Sequence, residues 1–184
     1  MTRAATPDSF LQGYVVCAAA EAWQHRAAAA LRQQVFVQEQ GLFTTQDRDT
    51  IDDVALPLVA IALDAPGGPL VVGTVRLHEV SPGVWWGSRL AVAPDWRRVG
   101  KLGSELIRLA VGTAHARGAR QFHAHVQMQN VALFQRLHWT TCAEVTLHGH
   151  PHAHMLADLA QYPAVPDPAT GWPLRAPGPV ATPP

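Results

Sequence analysis

The sequence predicts a mixed α/β (α+β) domain, and three observations carry that prediction. Apolar runs of strand length are separated by turns rich in glycine and proline. Other segments place their apolar residues at helical spacing. One strand also leads through a basic, glycine-containing loop straight into the most regular of those helices. The elements follow the order β-α-(loop or α)-β-β-β-α-β-α-β-β, and 184 residues suffice for one domain with a real core.

The first strand is "GYVVCAAA". From Glu21 to Arg32, "EAWQHRAAAALR" is alanine-rich and favours a helix, with Trp23, Ala27, Ala30 and Leu31 near one face. "QVFVQEQGLF" follows, and then "TTQDRDTIDD", which has no apolar period and is expected to be an exposed loop. "LPLVAIAL" and "LVVGTVRLHEV" are strands joined by the turn "DAPGGP"; "SPG" ends the second, and "VWWGSRLAV" is the next strand. "GSELIRLAVGTAHARG" sets Leu106, Ile107, Ala110, Val111 and Ala114 on one helical face, with Gly118 just past its end. "QFHAHVQM" is a strand, "NVALFQRLHW" a short helix, and "AEVTLHG" with "HAHMLADL" a closing hairpin. Residues 163–184 hold eight prolines and are expected to form an extended tail. The expected division is therefore a domain over 1–162 and a proline-rich tail over 163–184.

Charge is balanced, with 14 Lys and Arg against 14 Asp and Glu, so long-range attraction to nucleic acid or an anionic membrane is not expected. Cys17 and Cys142 form no CxxC pair, the start lacks an apolar signal core, and no run approaches a membrane span of about 18 residues. A cytoplasmic protein with free thiols is the expectation.

The informative stretch is "RLAVAPDWRRVGKLGSELIRLAV". Pro94 ends the strand at Val92, and the loop then offers Arg97, Arg98, Val99, Gly100, Lys101 (the sole lysine), Leu102, Gly103 and Ser104. Glycines let the backbone approach a ligand, and the helix N-terminus supplies unpaired N–H groups and partial positive charge suited to phosphate. The stretch is neither a G-x-x-x-x-G-K-[ST] loop nor a G-x-G-x-x-G fingerprint.

"LAVAP" followed by "RRVGKLG" opening a helix resembles the hallmark of the GNAT superfamily of N-acetyltransferases, L-x-V-x-P and then R-x-x-G-x-G/A. Counting from Val92 puts Arg97 and Gly100 in register; counting back from the helix puts Arg98 and Gly103 there, so the loop looks one residue longer than typical. "LRQQVFVQEQGLF", "VQMQNVALFQRLHW" and "GHPHAHM" resemble other pieces of the superfamily in the right order, over roughly residues 14–160. As a whole the chain looks most like the nitrogen-starvation-associated N-acetyltransferases.

The resemblance implies a mixed, mostly antiparallel sheet of six to seven strands with about four helices, splayed between the fourth and fifth strands. It implies acetyl-CoA as co-substrate, a small-molecule amine as acceptor, and no metal; a homodimer is compatible with it. The acetyl group would face backbone N–H groups near Leu90, Ala91 and Val92, with the pyrophosphate on the 97–104 loop and Phe134 beside the cofactor. One preorganised donor of this kind is worth about 10²–10³ in rate. Many relatives have a glutamate six residues before Val92, where Trp86 stands here, and a tyrosine acid where Phe134 stands. That leaves Glu39 and His125 as candidate bases, with Gln127 and His152 toward the acceptor. Two alternatives follow: a non-catalytic acyl-CoA sensor or partner-binding protein, favoured by the missing tyrosine and glutamate, and transfer from a longer acyl donor, as in autoinducer synthases. The run "TLHGHPHAHM" spaces four histidines on alternate positions, but Gly149 and Pro151 mark a turn among them, so a hairpin is expected rather than a metal site.

Overall fold

The computed structural model describes residues 13–98 and 101–175. Its strands are β1 (Gly13–Ala18), β2 (Leu56–Ala62), β3 (Leu70–Ser81), β4 (Val84–Val92), β5 (Gln121–Gln127), β6 (Trp139–Leu147), β7 (His150–Ala157) and β8 (Trp172–Arg175). Its α-helices are α1 (Ala22–Arg32), α2 (Leu102–Ala116) and α3 (Val131–Arg136). All eight strands form one sheet in the order β6-β7-β5-β4-β3-β2-β1-β8, antiparallel except for the β4–β5 pair.

This is the expected mixed fold with two differences in count among the described residues: eight strands instead of six to seven, and three α-helices instead of about four. The additional strand comes from the proline-rich stretch, where Trp172–Arg175 pairs with β1 along the sheet edge. Proline cannot donate to a ladder, so Pro173 is tolerated there because an edge strand pairs on one side alone. The missing helix is the segment after α1, which runs on as a π-helix over Gln33–Glu39.

Each face of the sheet has its own apolar layer. α2 lays Leu102, Leu106, Leu109 and Val111, all buried, against Val16, Leu58, Val72 and Phe122. On the other face, Ala28 and Leu31 of α1 and Val35 and Phe36 of the π-helix cover Val59, Ile61, Val71 and Ala91. The VF pair of "LRQQVFVQEQG" is therefore core, which accounts for its residue types. α1 starts with a capping box between Glu21 and Gln24. The hairpin β6–β7 turns at His148 (φ 51°) and Gly149 (φ 76°), two successive positive-φ residues as a tight right-twisted hairpin requires.

One expectation holds only in part. The acidic stretch after the π-helix is mostly exposed, but Asp47 is 5 % exposed, and a 3₁₀ turn over Thr50–Asp53 with Asp49 as its N-cap presents Asp49 and Asp52 to arginines. The stretch lacks an apolar period because ion pairs, and not apolar packing, fix it to the sheet. No helix among the described residues is long and apolar enough to cross a membrane.

After β7 the chain crosses α2. Val165 N–H donates to the Gly112 carbonyl (2.9 Å), and the Trp172 indole donates to Glu105 (3.0 Å). A Cβ at Gly112 would come within 2.7 Å of Val165 and 2.8 Å of the Pro163 carbonyl. Glycine to alanine inside a helix ordinarily stabilises by about 0.5–1 kcal/mol; here the backbone clash outweighs that gain. Gly112→Ala is expected to destabilise the protein by about 1–3 kcal/mol in urea unfolding, the cost of overpacking.

Candidate active site

β4 and β5 pair from Val84 and Gln121 only as far as Gly87 and Ala124. Beyond that point Ser88–Val92 pairs with β3 alone and His125–Gln127 with β7 alone. The cause lies in β4. Thr74 and Arg76 of β3 face Ala91 and Ser88, so β4 carries one extra residue, and Arg89 takes a left-handed φ of 57° there. A bulge bends and twists its strand, and here it turns β4 away from β5. The bulge also switches the face on which each later side chain lies.

A cavity of about 590 Å³ fills the opening and reaches both faces of the sheet. On the α2 face it touches Ile107, Ala110, Phe122, Phe134 and Trp139. On the other it touches Phe43, Arg76, His78, Trp86, His125 and His148. Leu90 lies on its wall, Ala91 is buried toward the α1 face, and Val92 packs on the α2 side. Ala93 N–H donates to Val72 of β3, so strand alternation directs the Val92 amide to the opposite, splayed side. The Val92 carbonyl accepts from Arg97 Nε at 3.0 Å.

Above this opening stands the N-terminus of α2. Lys101 is its N-cap residue, in the left-handed region (φ 60°), and no side chain caps the helix among the described residues. The first-turn N–H groups of Leu102, Gly103 and Ser104 have no intrahelical partner and suit a phosphate. Arg98 and Lys101 are exposed beside them. Val99 and Gly100 lie outside the described residues. Arg97 is committed elsewhere: it grips Glu39 with both terminal nitrogens, at 2.6 and 2.7 Å. That bidentate bond holds the Glu39 carboxyl below its usual range.

The opposite mouth is framed by charge. Arg76, 2 % exposed, donates to both oxygens of Asp49 (2.7 and 2.8 Å) and lies 2.7 Å from Asp52. Arg32 bridges Asp47 (2.6 Å) and Asp52 (2.5 Å). Arg89 reaches the Asp47 carbonyl (3.0 Å) and Asp49 (3.1 Å) while its guanidinium lies 4.5 Å over Phe43. Three cations thus neutralise three anions. Arg76 and Arg89 hold Asp49 below the carboxylate range, and Arg32 with Arg76 does the same for Asp52 in spite of burial. The sequence reading passed over this network. Its signal was Arg76, an arginine within the apolar strand "LVVGTVRL".

Next to the network is an aromatic floor. Trp86 stacks on His123 (5.2 Å, 26°) and His154 (5.3 Å, 12°), and His125 lies 4.7 Å away. His123 Nδ1 meets His154 Nε2 at 3.0 Å. Loss of solvent around the ring, then the neighbouring His154, His152 and His123, hold the His125 pKa below the imidazole norm, although the ring stays exposed to the open cavity. Gln127 donates to Gln40 (2.9 Å), and His152, buried, bonds the His150 carbonyl (2.9 Å). His125, Gln127 and His152 therefore meet at one mouth, whereas Glu39 stands with Arg97. His150, His152 and His154 alternate along β7, and no group of three or more potential ligands among the described residues is placed to hold a metal ion.

Residues 17–139 match the profile of the acetyltransferase (GNAT) family. Among solved structures the fold is similar to a candidate N-acetyltransferase from Lactobacillus plantarum (24% identity, 79% of this chain and 98% of that one, TM-score 0.70). It is similar to ElaA of Escherichia coli (21%, 79% and 98%, TM-score 0.66) and to an acyl-CoA N-acyltransferase from Pseudomonas aeruginosa (20%, 78% and 97%, TM-score 0.64). No protein of curated function matches the sequence.

Arg76→Met leaves Asp49 and Asp52 without their shared partner and is expected to cost about 3–5 kcal/mol in urea unfolding. The depressed carboxylates add a pH signature. Their contribution is complete above the unfolded-state value of about 3.9 and is lost as pH falls through the lower folded-state values. Stability of the wild type should therefore drop steeply below about pH 4, and Asp52→Asn should flatten that limb.

Proposed function

The chain belongs to the acetyltransferase (GNAT) family, and from that premise we propose that it is an N-acetyltransferase. It moves the acetyl group of acetyl-CoA onto the amine of a small-molecule acceptor, in the cytoplasm. The observation that carries this reading is a cavity that reaches both faces of the sheet at the splay, walled by Ile107 and Ala110 of α2 on one side and by aromatic rings on the other. Two substrates entering from opposite faces would meet there, and juxtaposition of this kind contributes more than any one side chain.

In this reading Lys101 and Arg98, with the amides of Leu102, Gly103 and Ser104, hold the pyrophosphate; Phe134 packs beside the pantetheine arm. The Val92 amide, with Leu90 and Ala91 shaping the opening, stabilises the oxyanion as the amine attacks. His125 takes the amine proton, because its pKa lies below the ordinary imidazole value and its ring is neutral and receptive at pH 7. Glu39 fits less well as a base. Its carboxylate is locked on Arg97, and we assign it to positioning the loop that leaves β4. Gln127 and His152 orient the acceptor. Within the family, "LRQQVFVQEQG" and "GHPHAHM" favour the nitrogen-starvation-associated N-acetyltransferases. A second reading, a longer acyl donor, is favoured by the apolar part of the cavity under α2 at Ile107, Ala110 and Phe122.

The test is CoA release from acetyl-CoA over a panel of amines, with hexanoyl-CoA as competing donor. Acetyl transfer faster than hexanoyl transfer is expected; the reverse would select the second reading, and acetyl-CoA binding without turnover would select the sensor. His125→Ala should lower kcat at least tenfold at pH 7 and remove the acid limb of the kcat profile, which in the wild type rises through a value below about 6.5. A wild-type rate with an unchanged limb would exclude His125 as base.

A further inference from the structure

The acceptor mouth contains carboxylates, but none is available to a substrate. Asp47 is taken by Arg32 and Arg89, and Asp49 by Arg76 and Arg89. Beside the opening, Glu39 is taken by Arg97 in a bidentate bond. Every acidic side chain lining the cavity among the described residues thus already carries at least one guanidinium. The remaining polar side chains there include Ser88, Gln127 and Asn130, which carry no charge, and imidazoles. Burial and the Arg76 charge hold His78 below the ordinary value, and His125 is held down as well, so neither offers a counter-charge to a cation.

This arrangement bears on which amines can be used. An alkylammonium with a pKa of about 10.4 is neutral in only roughly one molecule in a few thousand at pH 7. Bringing its charged form into the mouth without a carboxylate costs several kcal/mol of desolvation. Aromatic faces can substitute by cation–π attraction, yet Phe43 already carries the Arg89 guanidinium at 4.5 Å. Trp86 lies against near-parallel imidazoles at 5.2 and 5.3 Å that are 5.1 Å from each other and so on the same side of it, a stack of flat rings that a further flat ring extends.

We propose that the acceptor is an aromatic primary amine, one whose nitrogen is uncharged at pH 7 and whose ring lies against Trp86 between the β4–β5 opening and Phe43. The inference rests on the N-acetyltransferase reading above. The nitrogen lone pair attacks the thioester carbonyl; the N–C bond forms, the C–S bond breaks, and the electron pair leaves on sulfur. The proton lost by nitrogen passes to His125 and finally to the thiolate, so the products are an N-aryl acetamide and free CoA. An aromatic amine needs no deprotonation before attack, which fits a site with Trp86 in place of a glutamate base.

The experiment compares aniline and 4-aminobenzoate with benzylamine and spermidine under acetyl-CoA, while acetyl-CoA binding is measured separately by calorimetry. The expected result is a kcat/KM for the arylamines at least tenfold above those for benzylamine and spermidine at pH 7. Benzylamine turnover should rise about tenfold per pH unit, and arylamine turnover should stay nearly flat between pH 7 and 9. Trp86→Ala should raise the arylamine KM about tenfold with acetyl-CoA affinity unchanged, and Trp86→Phe should restore most of it. Benzylamine or spermidine acetylated as fast as the arylamines would overturn the inference, as would acetyl-CoA binding with no arylamine turned over. Failure to bind acetyl-CoA would instead remove the reading beneath it, and this inference with it.

Discussion

The left-handed backbone of Arg89 is the constraint on which the rest of the structure depends. A non-glycine residue at φ 57° is uncommon and persists only where its surroundings over-determine it. Here the surroundings are the Arg–Asp network: Arg89 reaches back to Asp47 and Asp49, and Arg76 on the adjacent strand fixes the same aspartates. The extra residue at this point parts β4 from β5 after Gly87. Without the parting the sheet would be continuous between β4 and β5, with no passage from one face to the other. What the ion pairs stabilise is therefore an opening in the sheet.

The two faces of that opening have different chemistry for traceable reasons. On the α2 side the helix N-terminus presents N–H groups, Arg98 and Lys101 above an apolar floor, an arrangement suited to phosphates joined to a thin acyl arm. On the other side, charge is present in quantity but is internally balanced, so the free surface is aromatic and weakly basic. A site whose carboxylates are already paired offers no uncompensated negative charge to a cationic substrate.

Much of this was legible in the sequence. "LAVAPDWRRVGKLG" located the end of β4 and the start of the helix that follows, and the apolar phase of "GSELIRLAV" set that helix's buried face. The alternation of "QFHAHVQM" placed His125 and Gln127 on one face of their strand. What could not be read was long-range pairing. "TTQDRDTIDD" looks solvated because its partners, Arg32, Arg76 and Arg89, are distributed over three other elements, and charge complementarity leaves no periodicity. The edge strand at Trp172 was hidden by prolines that normally oppose sheet formation. The four-histidine run resolved into a hairpin turn and one strand face, with His152 inward at the cavity and His148 in the turn against Phe43 at 4.5 Å.

The central claim is that acetyl-CoA enters the β4–β5 opening with its carbonyl at the Val92 amide. The most direct measurement is a ¹⁵N NMR titration with acetyl-CoA that follows the backbone amides of β4. The account predicts a saturable shift at one equivalent, largest at Val92 and neighbouring residues of the splayed segment and small at Trp85, where the strands are paired. Binding that leaves Val92 unmoved, or that shifts the paired and splayed halves of β4 alike, would contradict it.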